Sequence, residues 1–134
     1  VILRCVERRD PDRFFAELRG DLDRLGDSIL IFVHGYNVTF EDAARRTAQM
    51  AHDLDFPGAP VFYSWPSHGN WYRYREDEQH VELAVKHIKQ FLLDVVQRSD
   101  ADSIHLIAHS MGNRALTAAL KEIEIQAGER AHIG

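Results

Sequence analysis

One serine stands where an apolar run gives way to a helical pattern. Ser110 lies between residues 104–108, which are apolar enough for a buried strand, and an amphipathic stretch that begins at Met111. The flanking residues Ala108 and Gly112 are small, and a sharp strand-to-helix turn needs small residues there because larger side chains would clash as the chain reverses. Such a turn exposes the hydroxyl in front of a helix N-terminus, which favours developing negative charge. The pattern is typical of a nucleophilic serine.

A purely structural role for the same serine is the alternative. Serine is a preferred N-cap residue, so Ser110 could simply cap the helix that follows it. The short pattern small-x-Ser-x-Gly also occurs often by chance. The nucleophile interpretation is favoured because the pattern lies between a strand and a helix, which is the context that the chemistry requires.

A second segment could supply hydrogen-bond donors to the same reaction. The apolar run 29–33 ends in His34-Gly35-Tyr36-Asn37. A His-Gly pair after an inner strand can aim a backbone N–H at the end of the neighbouring strand. The N–H groups of Tyr36 and Met111 would then form an oxyanion hole. Alternatively, Gly35 serves only a turn.

An aromatic segment follows another strand pattern and could wall a binding pocket. It contains Trp65, Trp71 and Tyr72, and ligands of open α/β sheets bind at the end of the strands where this segment begins. These three residues are therefore candidates for substrate binding. The alternative is that Trp71 and Tyr72 cover the apolar flank of the next helix.

The elements that must position these residues alternate between strand and helix. Strand patterns lie at Val1–Val6, Ile29–Val33, Pro60–Trp65 and Ile104–Ala108, and helical patterns lie at Pro11–Leu25, Phe40–Leu54, Asp77–Gln97 and Met111–Ile125. The first strand pattern is interrupted by Arg4 and Cys5. The apolar stripes of the later helices include Val96 and Leu120, which we expect to face inward. This alternation predicts an α/β fold with a parallel sheet.

Composition narrows the classes of protein. The chain has 134 residues, enough for one domain, and its 16 basic and 21 acidic residues leave a net charge of −5, which argues against a nucleic-acid binder. One cysteine excludes an internal disulfide and a cysteine zinc site, and it favours a cytoplasmic over a secreted protein.

No apolar run reaches the roughly 18 residues of a transmembrane helix, so we expect a soluble protein. The chain begins with Val1, and we expect it to be a piece of a longer polypeptide.

Four sequence blocks together resemble one protein family. They are Phe32-Val33-His34-Gly35-Tyr36-Asn37, Thr39-Phe40-Glu41-Asp42-Ala43, Phe62-Tyr63-Ser64-Trp65-Pro66-Ser67 and residues 105–114, His-Leu-Ile-Ala-His-Ser-Met-Gly-Asn-Arg. In this order they are similar to the bacterial α/β-hydrolase family of unknown function DUF900, over about residues 28–125. The resemblance implies a three-layer α/β-hydrolase fold with the Ile29 strand between the other two. It also implies a nucleophile at Ser110 and oxyanion donors at Tyr36 and Met111.

No residues of this segment are well placed to serve as the acid and the histidine of a catalytic triad. In the α/β-hydrolase fold an acid and then a histidine follow the nucleophile along the chain. The residues that satisfy this order are Glu122, Glu124, Glu129 and His132. Glu122 would lie about 18 Å from Ser110 at a helix rise of ~1.5 Å per residue. We therefore expect residues 1–134 to form one partial α/β-hydrolase domain, with the acid and the base encoded beyond Gly134.

The histidines within the segment are poor substitutes for that base. His109 adjoins the nucleophile, but its side chain should point to the other side of the sheet. His34 is expected to pack or hydrogen-bond locally. His80 and His87 lie seven apart on a helix without a carboxylate to complete a metal site, so we expect a solvated helix face there.

These observations predict a serine hydrolase of the esterase or lipase type that acts on a small carboxylic ester or related acyl compound and needs no cofactor and no metal. An acyltransferase, a thioesterase or a peptidase could use the same turn. A non-catalytic interaction module that lacks the acid and the histidine is the alternative from another class. The strand at Ile104–Ala108 has no proline or lysine to protect an open edge, so we also expect self-association through it.

Overall fold

The computed structural model describes residues 2–34, 38–64, 78–109 and 111–133. Four helices and three strands alternate along them. In chain order these are α1 (Pro11–Leu25), β1 (Ser28–Val33), α2 (Phe40–Asp53), β2 (Gly58–Tyr63), α3 (Glu78–Arg98), β3 (Ser103–Ala108) and α4 (Met111–Ile133). The alternation confirms the α/β fold that the sequence predicts.

The described strands form one parallel sheet in the order β2-β1-β3. Ser28 lies opposite both Gly58 and Ser103 at the amino ends. Val33 lies opposite Tyr63 and Ala108 at the carboxyl ends. All three strands therefore end level with one another, and the segments that follow them begin at the same edge of the sheet. The central position of β1 is the one that the family resemblance implies.

Helices cover both faces of the sheet. On one face the alternate β1 residues Ile29, Ile31 and Val33 join a continuous buried cluster with apolar side chains of α1, α3 and α4. On the other face Leu30 and Phe32 are buried, and α2 packs against β2 on this side. Every apolar residue of β1 is thus removed from water, as its unbroken apolar sequence predicts.

The helix boundaries follow from capping residues. Asp10 caps α1 by accepting a hydrogen bond from the Arg13 N–H at 2.9 Å, and Pro11 opens the helix. Gly26 ends α1 with a φ of 128°, a conformation that side chains disfavour. Thr39 caps α2 through a 3.1 Å bond from the Asp42 N–H. These ends agree with the sequence patterns.

Some predicted boundaries are wrong. Residues 2–9 contain no strand, since the interruption by charged and polar side chains leaves no apolar face to bury. β2 begins at Gly58 instead of Pro60, because Gly58 pairs in register with Ser28. α4 continues past Ile125 to Ile133 and includes Gly128, where a Cβ atom would have no other atom within 4 Å.

Two residues of the apolar stripes predicted for the last two helices face water. Val96 is 64% exposed on α3 and Leu120 is 41% exposed on α4. Both lie at the margin of their stripes, beyond the line along which α3 and α4 pack against each other and the sheet.

Among the described residues, no helix is long and apolar enough to cross a membrane.

Candidate active site

The chain turns from strand to helix within the few residues that surround Ser110. Ser110 itself lies outside the described residues, but both of its neighbours are described. The N–H of His109 donates to the Val33 carbonyl oxygen at 3.1 Å and so extends the pairing of β3 with β1 by one residue. The Gly112 N–H donates to the His109 carbonyl at 3.1 Å, which closes the turn onto α4. The arrangement matches the strand–turn–helix context that the sequence predicts.

Gly112 has no room for a side chain. A Cβ atom built on it would lie 2.5 Å from the Val33 carbonyl oxygen and 2.9 Å from the His34 carbonyl oxygen. Both neighbours are backbone atoms of the central strand's end, so they cannot move aside as a flexible side chain would. The glycine therefore lets α4 start directly against the carboxyl end of β1.

Of the two candidate oxyanion donors, Met111 lies within the described residues. Met111 is the first residue of α4 and is half-buried. Its N–H belongs to the first turn, where amides have no partner within the helix. Tyr36 lies outside the described residues. Its role together with Met111 therefore stays a prediction.

His34 directly follows the central strand β1 and is fully buried. Its Nε2 lies 3.2 Å from the Oγ of Ser64, the residue that follows β2. This local hydrogen bond agrees with what we expect of His34. Ser64 is not identified by sequence reasoning. The signal for it is its position after β2, which the parallel register matches to that of His34 after β1.

The aromatic candidates for substrate binding, Trp65, Trp71 and Tyr72, lie outside the described residues. The end of the strand that leads to them is described. Tyr63 is the last residue of β2 and its ring packs at 5.4 Å from that of Phe91 on α3. Burial raises the pKa of the Tyr63 phenol above its usual value.

A shallow pocket of about 330 Å³ opens on the α2 side of the sheet, beside the ends of β1 and β3. Its lining consists of Phe32, Arg46, Gln49, Met50, Ile107, Ala108 and His109. His109 thus lies among side chains of the face that α2 covers. The pocket cannot be predicted from the sequence, because α2 and β3 are brought together only when the sheet folds.

The acidic residues that follow Ser110 are placed away from the turn. Glu122 accepts a hydrogen bond from Lys89 Nζ at 3.4 Å and so links α4 to α3. Glu124 and Glu129 are exposed, and the side chain of His132 is outside what the structure describes. Within the described ranges, no group of His, Cys, Asp and Glu side chains could hold a metal ion.

Comparison with known proteins identifies the family. Searches of the curated proteins and of the solved structures gave no significant match to this chain. The profile of one family, described as alpha/beta hydrolase of unknown function (DUF900), matches residues 11–133. The match spans every described helix and strand. With its central parallel strand and its strand–turn–helix segment, the chain belongs to the DUF900 family of α/β hydrolases.

Proposed function

We propose that the chain carries the nucleophile and the oxyanion hole of a serine hydrolase of the esterase or lipase type. The close approach of Gly112 to the carbonyl oxygens of Val33 and His34 is the observation that carries the proposal. A serine that merely capped a helix would not require the second helical residue to lie against the end of the neighbouring strand. A nucleophile requires this, because its helix must begin beside the strand that precedes the oxyanion loop.

The reaction would proceed through an acyl-enzyme. Ser110 Oγ attacks the carbonyl carbon of the ester, and a histidine takes the hydroxyl proton. The N–H groups of Tyr36 and Met111 hold the negative charge of the tetrahedral intermediate, which is worth about 3 kcal/mol per donor. The alcohol then leaves with the proton from that histidine, and water releases the acid by the same steps in reverse order. The reaction uses no cofactor.

The histidine and its orienting acid belong, in this proposal, to residues outside 1–134. Glu122, the first acid of α4, is engaged by Lys89. His34 is fully buried beside Ser64, which leaves it no path to an incoming substrate. Trp65, Trp71 and Tyr72 would border the acyl group, since they follow the carboxyl end of β2.

The activity is tested with p-nitrophenyl butyrate and the intact protein. We expect Ser110→Ala to lower kcat/KM by at least about a thousandfold, because the covalent step is lost. Ser103→Ala is the matched control, since Ser103 lies at the opposite end of β3 and bonds Ser28 there at 2.7 Å. A Ser110→Ala protein that keeps the wild-type rate would rule out the proposed nucleophile. A wild-type protein without activity on oxygen esters and thioesters would favour the interaction module.

A further inference from the structure

The described helices leave one side of β3 open. Ile107 pairs with Phe32 and therefore lies on the side of the sheet that α2 occupies. On this side α2 packs mainly against β2, at the other margin of the described sheet, whereas α3 and α4 cover the opposite face. Ile107 is consequently only half-buried and His109 is exposed. The shallow pocket of about 330 Å³ lies in this gap between α2 and β3.

The walls of the pocket are apolar. Phe32, Met50, Ile107 and Ala108 supply most of them. Sites for small molecules usually enclose about 300–1,000 Å³, so this pocket is at the lower end of that range. Apolar surface that stays in contact with water is unfavourable, and a ligand that covers it gains free energy for each methylene group it buries. The size and the lining suit a short aliphatic chain.

The residues around the mouth of the pocket carry hydrogen-bond donors. Arg46 and Gln49 lie one turn apart on α2, His109 follows β3, and all three are exposed residues that border the pocket. Because the walls are apolar, the long side chains contribute their carbon atoms to the pocket and carry their polar ends outward. Gln49 Nε2 already donates to Asp53 Oδ1 at 2.7 Å. Arg46 and His109 are therefore the donors that an incoming ligand would meet.

Arg46 differs from its neighbour on α2 in having no acidic partner. Within the described residues, Arg46 and the His109 side chain form no ion pair and no hydrogen bond, whereas Arg45 lies 3.4 Å from a carboxylate oxygen of Asp42. Asp53 is seven residues further along α2 than Arg46, or about 10 Å along the helix axis. A guanidinium group without a carboxylate partner, next to an apolar pocket, is complementary to a ligand that has an anionic head and an aliphatic chain.

We propose that this pocket binds a linear aliphatic carboxylate such as octanoate. The chain lies against Phe32, Met50 and Ile107, and the carboxylate accepts two parallel N–H bonds from the Arg46 guanidinium. The imidazole of His109 donates a further hydrogen bond to it. An alcohol with the same chain would fill the pocket and leave the guanidinium without its partner. Binding at this site involves no reaction and does not depend on the proposed function.

The test is a titration of the intact protein, labelled with ¹³C in its methionine methyl groups, with sodium octanoate. Met50 lies in the wall of the pocket, and Met50→Leu identifies its signal. We expect the Met50 methyl signal to shift in a saturable manner with a Kd of about 1 mM or below. Butyrate should bind at least about tenfold more weakly, because its chain buries fewer methylene groups. Octan-1-ol should bind at least about fivefold more weakly, because the charge-assisted bonds are lost.

Two arginine variants separate a specific contact from the overall charge of α2. Arg46→Gln should weaken octanoate binding about tenfold, since it removes the bidentate partner. Arg45→Gln removes the same charge one residue away, from a side chain that pairs with Asp42, and should leave the Kd within about twofold. Both residues are exposed, so we expect both variants to fold.

Three results would overturn the inference. They are the absence of a saturable shift, which is also the result if another segment of the intact protein fills the pocket, an equal loss of affinity in Arg46→Gln and Arg45→Gln, and binding of octan-1-ol as tight as that of octanoate. Binding is measured without turnover, so failure of the proposed hydrolysis would change none of these readouts.

Discussion

Gly112 leaves no room for a side chain in the turn into α4. A methyl group there would meet two backbone carbonyls of the central strand's end, the nearer at 2.5 Å. We expect Gly112→Ala to lower the free energy of unfolding by about 1–3 kcal/mol, the usual cost of overpacking, and to reduce activity because α4 must shift. Urea denaturation measures the first effect and ester hydrolysis the second.

Gly128 provides the matched control for that substitution. It lies in the same helix, and a Cβ on it would meet nothing within 4 Å. Gly128→Ala should raise the free energy of unfolding by up to about 1 kcal/mol, because alanine is the better helix former. Equal effects of the two substitutions would show that the close approach at Gly112 is not what constrains the turn.

Tyr63 should make stability depend on alkaline pH. Burial raises its pKa in the folded protein above the ordinary value of 10.0. Below that value the phenol is neutral in both states, and its contribution to stability is complete. Above it the unfolded chain loses the proton first, so stability falls as the pH rises through the folded pKa. Urea midpoints of the wild type should therefore fall more steeply above pH 10 than those of Tyr63→Phe, and parallel curves would contradict this.

At the scale of elements, the N-cap of α2 links the fold to the site, because α2 begins shortly after the proposed oxyanion loop. Thr39 Oγ1 accepts a hydrogen bond from the Asp42 N–H at 3.1 Å. We expect Thr39→Ala to lower the free energy of unfolding by about 1 kcal/mol and Thr39→Ser to restore most of it, since serine caps equally well. Thermal unfolding of the two variants checks this. A loss in Thr39→Ser as large as in Thr39→Ala would show that the hydroxyl does not contribute.

The sequence is sufficient to predict those elements whose burial is complete. Residues 29–33 are apolar at every position because β1 is covered on both faces, and a short apolar run bounded by Asp27-Ser28 and Gly35 is typical of such a strand. The margins of α3 and α4 are harder to predict. A helical period shows which side chains share a face, but the width of the buried stripe depends on the neighbouring helix. The prediction that Val96 and Leu120 face inward is therefore wrong, and both are exposed.

Some residues of the candidate site can be predicted from the sequence and others cannot. The small residues around Ser110 can be recognised from their spacing, because larger side chains at these positions would clash within the turn itself. Ser64 cannot, because its bond to His34 depends on the register of two strands that are separated by a helix. The pocket beside α2 is likewise formed by residues that approach only in the folded sheet.

For the molecule as a whole, we expect the outer side of β3 to determine whether residues 1–134 associate when they are produced alone. Within the described sheet β3 pairs with β1 along one side, and its side chains are half-buried or exposed, whereas β2 at the other margin carries Pro60. A strand without proline or charge at such an edge recruits another strand. We expect this segment alone to form dimers or larger species in sedimentation experiments.

A charge on β3 should suppress that association. Ile107→Lys places an ammonium group on the strand itself, the device by which natural edges resist pairing. Val96→Lys adds the same charge on the exposed side of α3 and should leave association unchanged. If the two variants sediment alike, or if the unmodified segment is a monomer, association does not take place through β3.

Covalent labelling is the most direct way to identify the nucleophile. A fluorophosphonate reacts with an activated serine when Oγ attacks phosphorus and fluoride leaves, so the adduct marks the residue that attacks. In the intact protein we expect peptide mapping by mass spectrometry to locate the adduct on Ser110 and Ser110→Ala to remain unlabelled. An adduct on any other residue of the wild type, or labelling that survives Ser110→Ala, would show that Ser110 is not the nucleophile.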